Sequence, residues 1–233
     1  MQIMESTDWA VRTARLGLTS TVSDVRVTLF PMLHVGEPGF FETVYSDAFS
    51  HDVVLVEGLR SPIVGRITRS YRWVELSTKL KLVVQPRYPS QASCKARIVE
   101  ADLSGAEFAK VWREVPLWLR AFMWLAAPVI GAERRWRSTR RSLAKGLSLD
   151  DLTSRHETLS WSPELAGLDH AIMHARDARL LERLSDQLDD CEGRSRDIAI
   201  VYGAYHMRAV LRELTQRRKY HVARGDWLTV FRL

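Results

Sequence analysis

The chain has 233 residues and a formal net charge of +6, with a sequence pI of about 9.6. A hydrophobic content of 46% with 27% charged residues is typical of a soluble globular protein and argues against a disordered chain. The two cysteines, Cys94 and Cys191, have no CxxC or zinc-finger spacing, which argues against a disulfide framework and favours a reducing compartment. The N-terminal 20 residues lack an apolar core after a positive region, so we expect no secretory signal and a cytoplasmic location.

Two apolar runs predict the centre of the fold. Val25–Leu33 is followed by a Gly/Pro break, an amphipathic stretch from Phe40 to Phe49, and a second apolar run, Val53–Val56. This order predicts a β-loop-α-β unit. Continuous rather than alternating apolarity indicates strands covered on both faces, as in a parallel sheet flanked by helices.

Polar residues follow these strands where they end. His34 follows the first run and Glu57 the second, while a third run, Asp197–Val201, is followed by a turn that ends in His206. Ligands of parallel sheets bind at the carboxyl ends of the strands. We therefore expect His34, Glu57 and His206 to converge at one edge, with His34 and Glu57 side by side if their strands are neighbours. The alternative is that each histidine is a hydrogen-bonded structural residue at a strand end.

The remaining elements extend the α/β pattern. Helical spacing predicts a helix over Ser70–Val84, and Lys95–Asp102 is a short β-like run. Ser104 with Glu107 three residues later predicts a capping box at the start of the next helix. The prediction is one α/β domain over residues 1–233, with a central, mostly parallel sheet flanked by helices and a helical insertion at about 105–165. The C-terminal segment, Tyr220–Leu233, predicts two short strands in a hairpin around Arg224-Gly225-Asp226.

The segment Pro116–Arg141 combines an apolar stretch with a cluster of arginines. Pro116–Gly131 is almost wholly apolar, and five arginines follow between Arg134 and Arg141. The stretch is too short for a transmembrane helix and is interrupted by Arg120. It predicts either a buried helical hairpin with a solvated basic face or a peripheral membrane contact, with the aromatic residues at the interface and the arginines against anionic head groups. No recognisable nucleic-acid module accompanies the arginines, so we expect no nucleic-acid partner.

A long amphipathic helix is predicted over Asp169–Asp190. His170 and His174 share one face at a spacing that metal sites use, although no glutamate of a metal-binding motif lies beside them. Arg176 and Asp177 stand next to each other inside this helix.

Taken together, these residues resemble the superfamily that includes the TraB/PrgY pheromone-shutdown proteins, the GumN-like proteins and the Tiki metalloproteases. Erythromycin esterase and the haem-binding ChaN proteins are its more distant members. The family is marked by a GxxH motif after the first strand, a glutamate after the second, a helix with an Arg-Asp or Arg-Asn pair, and a second GxxH. These motifs correspond here to Pro31-Met32-Leu33-His34, with proline in place of the glycine, Glu57-Gly58-Leu59-Arg60, Arg176-Asp177 and Gly203-Ala204-Tyr205-His206.

The resemblance implies an α/β fold whose cleft contains the two histidines and Glu57. In Tiki-like members the implied activity is peptide hydrolysis that depends on manganese or a similar divalent metal. His34, Glu57 and His206 would then be metal ligands and catalytic residues, and imidazoles with a carboxylate do suit such a metal. Arg60 or Arg176 would stabilise an oxyanion or bind a substrate carboxylate, and Asp177 and Gly203 would also bind the substrate.

Three hypotheses follow for the function. The first is a metal-dependent hydrolase of a peptide or small molecule, in which Glu57 is either a ligand or the general base. A metal-independent variant, as in the esterase branch, would use a histidine to activate water. The second is a non-catalytic module that sequesters a peptide or a haem-like ligand. The third is a membrane-peripheral protein whose functional surface is Pro116–Arg141. A homo-oligomer is a further expectation that does not depend on the choice of function.

Overall fold

A central sheet of seven strands organises the protein. The computed structural model describes residues 2–145, 167–190 and 195–233. The strands of the described chain are β1 (Met4–Ser6), β2 (Ala10–Ser20), β3 (Val25–Met32), β4 (Val35–Gly36), β5 (Val53–Val56), β6 (Val83–Val84), β7 (Arg97–Glu100), β8 (Arg196–Gly203) and β9 (Tyr220–Arg232). All except β4 and β6, which pair with each other, belong to the central sheet.

The parallel half of the sheet has the order β3-β8-β5-β7. The predicted α/β class with a mostly parallel central sheet flanked by helices is therefore confirmed. However, β8 lies between β3 and β5, so the strands that precede His34 and Glu57 are not neighbours. The strand that leads to His206 occupies the centre of this half.

The antiparallel half contains β1, β2 and β9. β2 pairs with β1, β3 and β9, and its pairing with β9 extends from Ala10–Arg232 to Ser20–Tyr220. The predicted C-terminal hairpin is wrong, because Tyr220–Arg232 forms one continuous strand. Gly225 does not turn the chain; it lies opposite Leu16, whose side chain would come within 3.3 Å of an added Cβ.

Helices cover both faces of the sheet. They are α1 (Pro38–Ala48), α2 (Pro62–Ile67), α3 (Arg72–Glu75), α4 (Gly105–Trp112), α5 (Leu117–Trp136), α6 (Ala175–Asp190) and α7 (Met207–Arg212). Short 3-10 turns span Thr68–Tyr71, Gln91–Ser93 and Ala204–His206, and π-helical turns span His170–His174 and Glu213–Arg217. Residues 140–145 are also helical.

Alternate residues of β8 enter two hydrophobic cores. Ile198 and Ile200 pack with Leu180 and Leu184 of α6, whereas Ala199 and Val201 pack on the side of α1. This alternation follows from the two-residue period of a strand. It explains why β8 is apolar from Ile198 to Val201, where both of its faces are buried.

The predicted helix over Ser70–Val84 is shorter than expected. Its helical part ends with α3 at Glu75, and Val83 and Val84 instead pair with β4. Lys81, between these parts, has a φ of 50°, which a helix does not contain. The apolar residues that predicted one helix therefore lie in α3, in β6 and in the segments beside them.

The predicted helical insertion is confirmed over its described part. The capping box of Ser104 and Glu107 begins α4, as predicted. Pro116–Gly131 is not a hairpin, because α5 continues as one helix through Pro128 to Trp136, and much of it is exposed. Residues 146–165 of the insertion lie outside the described residues.

Among the described helices, no single one has the length and hydropathy of a membrane span. Gly105–Trp112 and Leu117–Glu133 pass that test only as a pair, by length and composition, and they are bent by 117°.

Candidate functional site

A polar cluster lies at the carboxyl ends of β5, β7 and β8. Glu57 follows β5, Asp102 lies two residues beyond β7, and His206 follows β8 in a 3-10 turn. The first turn of α6 adds Arg176 and Asp177. Of the three residues predicted to converge at this edge, Glu57 and His206 lie in the cluster, together with the Arg-Asp pair of the helix.

Arg176 connects two strand ends. Its Nη2 donates to Glu57 Oε1 and also to Asp102 Oδ2 at 2.7 Å, while its Nε donates to Asp102 Oδ1 at 3.0 Å. Burial alone would lower the pKa of Arg176, but the charge of Glu57 and the hydrogen bond to Asp102 raise it well above its ordinary value. The guanidinium is thus a fixed cation held between two carboxylates.

Glu57 is held at both carboxylate oxygens. Its Oε2 accepts the backbone N–H of Gly203 at 2.9 Å, while Oε1 accepts from Arg176. Burial raises the pKa of Glu57, but the charges of Arg176, His34 and His206 outweigh burial and lower the pKa to about 2. Glu57 is therefore ionised over the whole physiological range.

Gly203 allows the close approach of Glu57 and His206. A Cβ at this position would lie 3.3 Å from Glu57 Oε2 and 3.3 Å from His206 Cδ2. Both distances are tighter than an ordinary van der Waals contact. The glycine of the Gly203-Ala204-Tyr205-His206 motif is thus explained by packing around its α-carbon.

His206 and Asp177 form a buried pair. The Nδ1 atom of His206 lies 2.6 Å from Asp177 Oδ1, and the two side chains are only 5% and 10% exposed. The ring of Tyr202 meets His206 edge-on, with the centroids 4.9 Å apart. Arg176 and Asp177 are consecutive residues of one helix, so a single turn positions both Glu57 and His206.

His34 and Arg60 lie differently from Glu57 and His206. His34 is exposed, and its ring centroid lies 5.4 Å from that of Tyr71, although its charge still contributes to the lowered pKa of Glu57. Arg60 is 81% exposed at its side chain and pairs with Glu100 at 3.3 Å. The structure therefore does not bring Arg60 to the carboxylates of the cluster.

The predicted metal ligands do not form the donor set that a divalent ion requires. Within residues 2–145, 167–190 and 195–233, no group of three or more His, Cys, Asp or Glu side chains is placed to hold a metal. In the trio of His34, Glu57 and His206, Glu57 already accepts from Arg176 and Gly203. His174 Nε2 lies 2.7 Å from Asp169, and its ring centroid is 6.4 Å from that of His170. As placed, these donor sets do not fit a metal ion.

Two residues of the cluster, Asp102 and Tyr202, were not predicted as site residues from the sequence. Asp102 is the last residue of the predicted β-like run Lys95–Asp102 and lies just beyond β7, so the strand-end argument applied to Glu57 would also have found it. Tyr202 is fully buried beside Arg176, with its ring 5.5 Å from the guanidinium carbon. Burial raises the pKa of Tyr202 well above its ordinary value, so this phenol stays protonated.

A surface cleft of about 610 Å³ lies at the other end of β5 and β7. Its lining includes His51 and Asp52, just before β5, and Cys94 and Lys95, just before β7. These residues precede the strands, whereas the polar cluster follows them. Ligands of parallel sheets bind at the carboxyl ends, so we place the candidate site at the polar cluster and not in this cleft.

Comparison with known proteins gives no relative for this fold and site. No protein-family model, no curated protein and no solved structure matches the chain.

Proposed function

We propose that the protein is a hydrolase that cleaves an acyl bond of a small ester or a peptide without a metal, with His206 as the general base. The observation that carries this proposal is the buried contact of 2.6 Å between His206 Nδ1 and Asp177. It is the metal-independent form of the activity expected from the resemblance to the esterase branch of the TraB/Tiki superfamily.

The geometry of the pair supports a base at the other ring nitrogen. A carboxylate at Nδ1 favours the tautomer with its proton on Nδ1, which leaves Nε2 unprotonated. It also stabilises the imidazolium that forms when Nε2 takes a proton. Asp177 is itself fixed in the first turn of α6, so it can hold the ring in one orientation.

Glu57 is better suited to positioning than to proton transfer. A general base works best when its pKa lies near the working pH, and a carboxylate with a pKa of about 2 is a weak base at neutral pH. Glu57 instead fixes the Gly203 N–H and adds negative charge beside His206. Arg176, paired with two carboxylates, holds Glu57 in place.

The proposed reaction is direct hydrolysis. His206 Nε2 takes a proton from water, and the water oxygen attacks the acyl carbon. The bond from that carbon to the ester oxygen or the amide nitrogen then breaks, and the leaving group takes the proton from the imidazolium. His34, which is exposed and follows β3, is assigned to substrate contact.

The test is a hydrolysis screen in a buffer with EDTA. The substrates are p-nitrophenyl esters with acyl chains from acetyl to octanoyl, together with a quenched peptide library. We expect turnover by the wild type and a loss of kcat/KM of at least about 100-fold in His206→Gln. His221→Gln is the matched control, because His221 is an exposed histidine whose Nε2 lies 3.3 Å from the Thr19 hydroxyl, outside the polar cluster.

Two results would overturn the proposal. Turnover that EDTA abolishes and manganese restores would instead support the metal-dependent peptide hydrolase expected from Tiki-like members. Saturable binding of a peptide or haem without any turnover would support a sequestering module.

A further inference from the structure

Helix α5 carries an apolar stripe on its solvent side. The stripe consists of Trp118, Phe122, Leu125, Val129 and Trp136, and each of these side chains is at least 55% exposed. Their spacings of four, three, four and seven residues place them along one line of the helix. A helix of 20 residues is about 30 Å long, so the stripe is an extended surface rather than a single exposed side chain.

The other side of α5 already packs against the protein. Leu119 is 6% exposed in a core shared with Phe108 and Trp112 of α4. Gly131 allows close packing, because an added Cβ would lie 2.9 Å from the Trp73 ring. The stripe is therefore a second apolar face, which the described part of the chain leaves largely exposed, with the ring of Trp136 meeting that of Trp73 edge-on. Apolar surfaces of this kind mark interaction sites.

The sequence in and around α5 is strongly positive. Residues 113–145 contain eight basic and two acidic side chains, and this excess of six equals the net charge of the whole chain. Arg66 lies over the ring of Trp124 at 5.4 Å, and Arg135 lies 6.0 Å from the ring of Trp136. Two cations thus lie against exposed tryptophans of α5.

We propose that α5 docks this protein onto an anionic membrane surface. The helix lies in the plane of the interface, with the stripe at the boundary between head groups and acyl chains and the arginines against lipid phosphates. Tryptophan suits this depth because its ring is both apolar and polar. A second copy of the chain is a poorer occupant of the stripe, since it brings the same excess of positive charge to the contact. The docking does not depend on the proposed hydrolase.

The first experiment is flotation of the full chain with vesicles. We expect the wild type to float with vesicles of phosphatidylglycerol and phosphatidylcholine but not with phosphatidylcholine alone. The stripe variant Trp118→Ser/Phe122→Ser/Trp136→Ser should lose about tenfold or more in vesicle affinity. Trp9→Ser is its matched control, because Trp9 is 81% exposed and lies between β1 and β2.

A charge variant separates the electrostatic contribution from the apolar one. Arg135, Arg137 and Arg141 are exposed, and changing all three to Gln should weaken binding on the order of 100-fold, since each cation near an anionic surface contributes about fivefold. Arg87, Lys95 and Arg217 are exposed cations outside residues 113–145, and changing all three to Gln should have a much smaller effect. Arg140 is kept, because it donates to Glu37 and to the Leu80 and Arg232 carbonyls.

Three outcomes would overturn the proposal. The first is the absence of flotation with anionic vesicles, and the second is equal binding by the stripe variant and Trp9→Ser. The third is a wild-type dimer, measured by light scattering, that the stripe substitutions dissociate while vesicle binding is absent. That last result would assign the stripe to contact between copies of this chain.

Discussion

The acid sensitivity of the fold is expected to depend strongly on Glu57. Its pKa is lowered from 4.5 to about 2 in the folded chain, mainly because Arg176, His34 and His206 outweigh the effect of burial. A group with a lowered folded-state pKa stabilises the fold fully above its unfolded pKa. That contribution is then lost as the pH falls from about 4.5 to about 2. At about 1.4 kcal/mol per pH unit, it is about 3 kcal/mol.

The substitution Glu57→Gln isolates this contribution. The variant lacks the titrating group, so it should be less stable than the wild type by about 3 kcal/mol above pH 5. The two free energies of unfolding should converge as the pH approaches 2. Urea denaturation followed by tryptophan fluorescence at several pH values between 2 and 7 gives both curves.

A matched control separates this effect from general acid denaturation. Glu42 is an exposed glutamate of α1, and Glu42→Gln should follow the wild-type curve within about 0.5 kcal/mol throughout. The reasoning is refuted if the difference between the wild type and Glu57→Gln does not change between pH 5 and pH 2.5. In that case Glu57 would have the same affinity for protons in the folded and unfolded chains.

Three further substitutions, one of them with a comparison variant, test other parts of the structure. Arg176→Gln leaves two buried carboxylates without their cation and should cost about 3–5 kcal/mol of unfolding free energy. Arg179→Gln removes a more exposed ion pair and should cost about 1 kcal/mol or less. Equal costs in urea denaturation would contradict the assigned burial. Gly203→Ala adds a Cβ 3.3 Å from two neighbouring side chains and should cost about 1–3 kcal/mol, so a neutral result in the same assay would show that the neighbours are not confined. Ser104→Ala removes the capping box of α4 and should cost about 1 kcal/mol in thermal or urea unfolding, and an unchanged midpoint would count against this cap.

The strands of the parallel half were predictable because their signal is local. Val53–Val56 and the run that became β8 are buried on both faces, and continuous apolarity records that burial directly in the sequence. The polar residues after these strands were predictable for the same reason. A strand end is visible in the sequence wherever an apolar run meets a charged residue.

The order of the strands and the antiparallel half were not predictable from such local signals. The position of β8 between β3 and β5 depends on pairing between residues more than 140 positions apart. The C-terminal strand is continuous because β2 provides a partner along its full length, and nothing near Gly225 in the sequence indicates that partner.

The partners within the site also depended on the fold. Arg176 and Asp177 were singled out by the resemblance, but their partners depend on how α6 lies across the sheet edge. His34 satisfied the strand-end pattern in sequence, yet its side chain is exposed beside Tyr71. Sequence spacing identified which residues reach the edge, while packing decided which of them pair.

The most direct test of the central claim is the kcat/KM of Asp177→Asn measured in EDTA on whichever substrate the screen identifies. The asparagine preserves the shape of the aspartate but removes the charge that orients His206, and the fold is checked by urea denaturation. We predict a loss of about 10²- to 10⁴-fold with the free energy of unfolding changed far less than the catalytic barrier. A folded Asp177→Asn variant with wild-type kcat/KM would contradict the account, because His206 would then not act through its buried pair with Asp177.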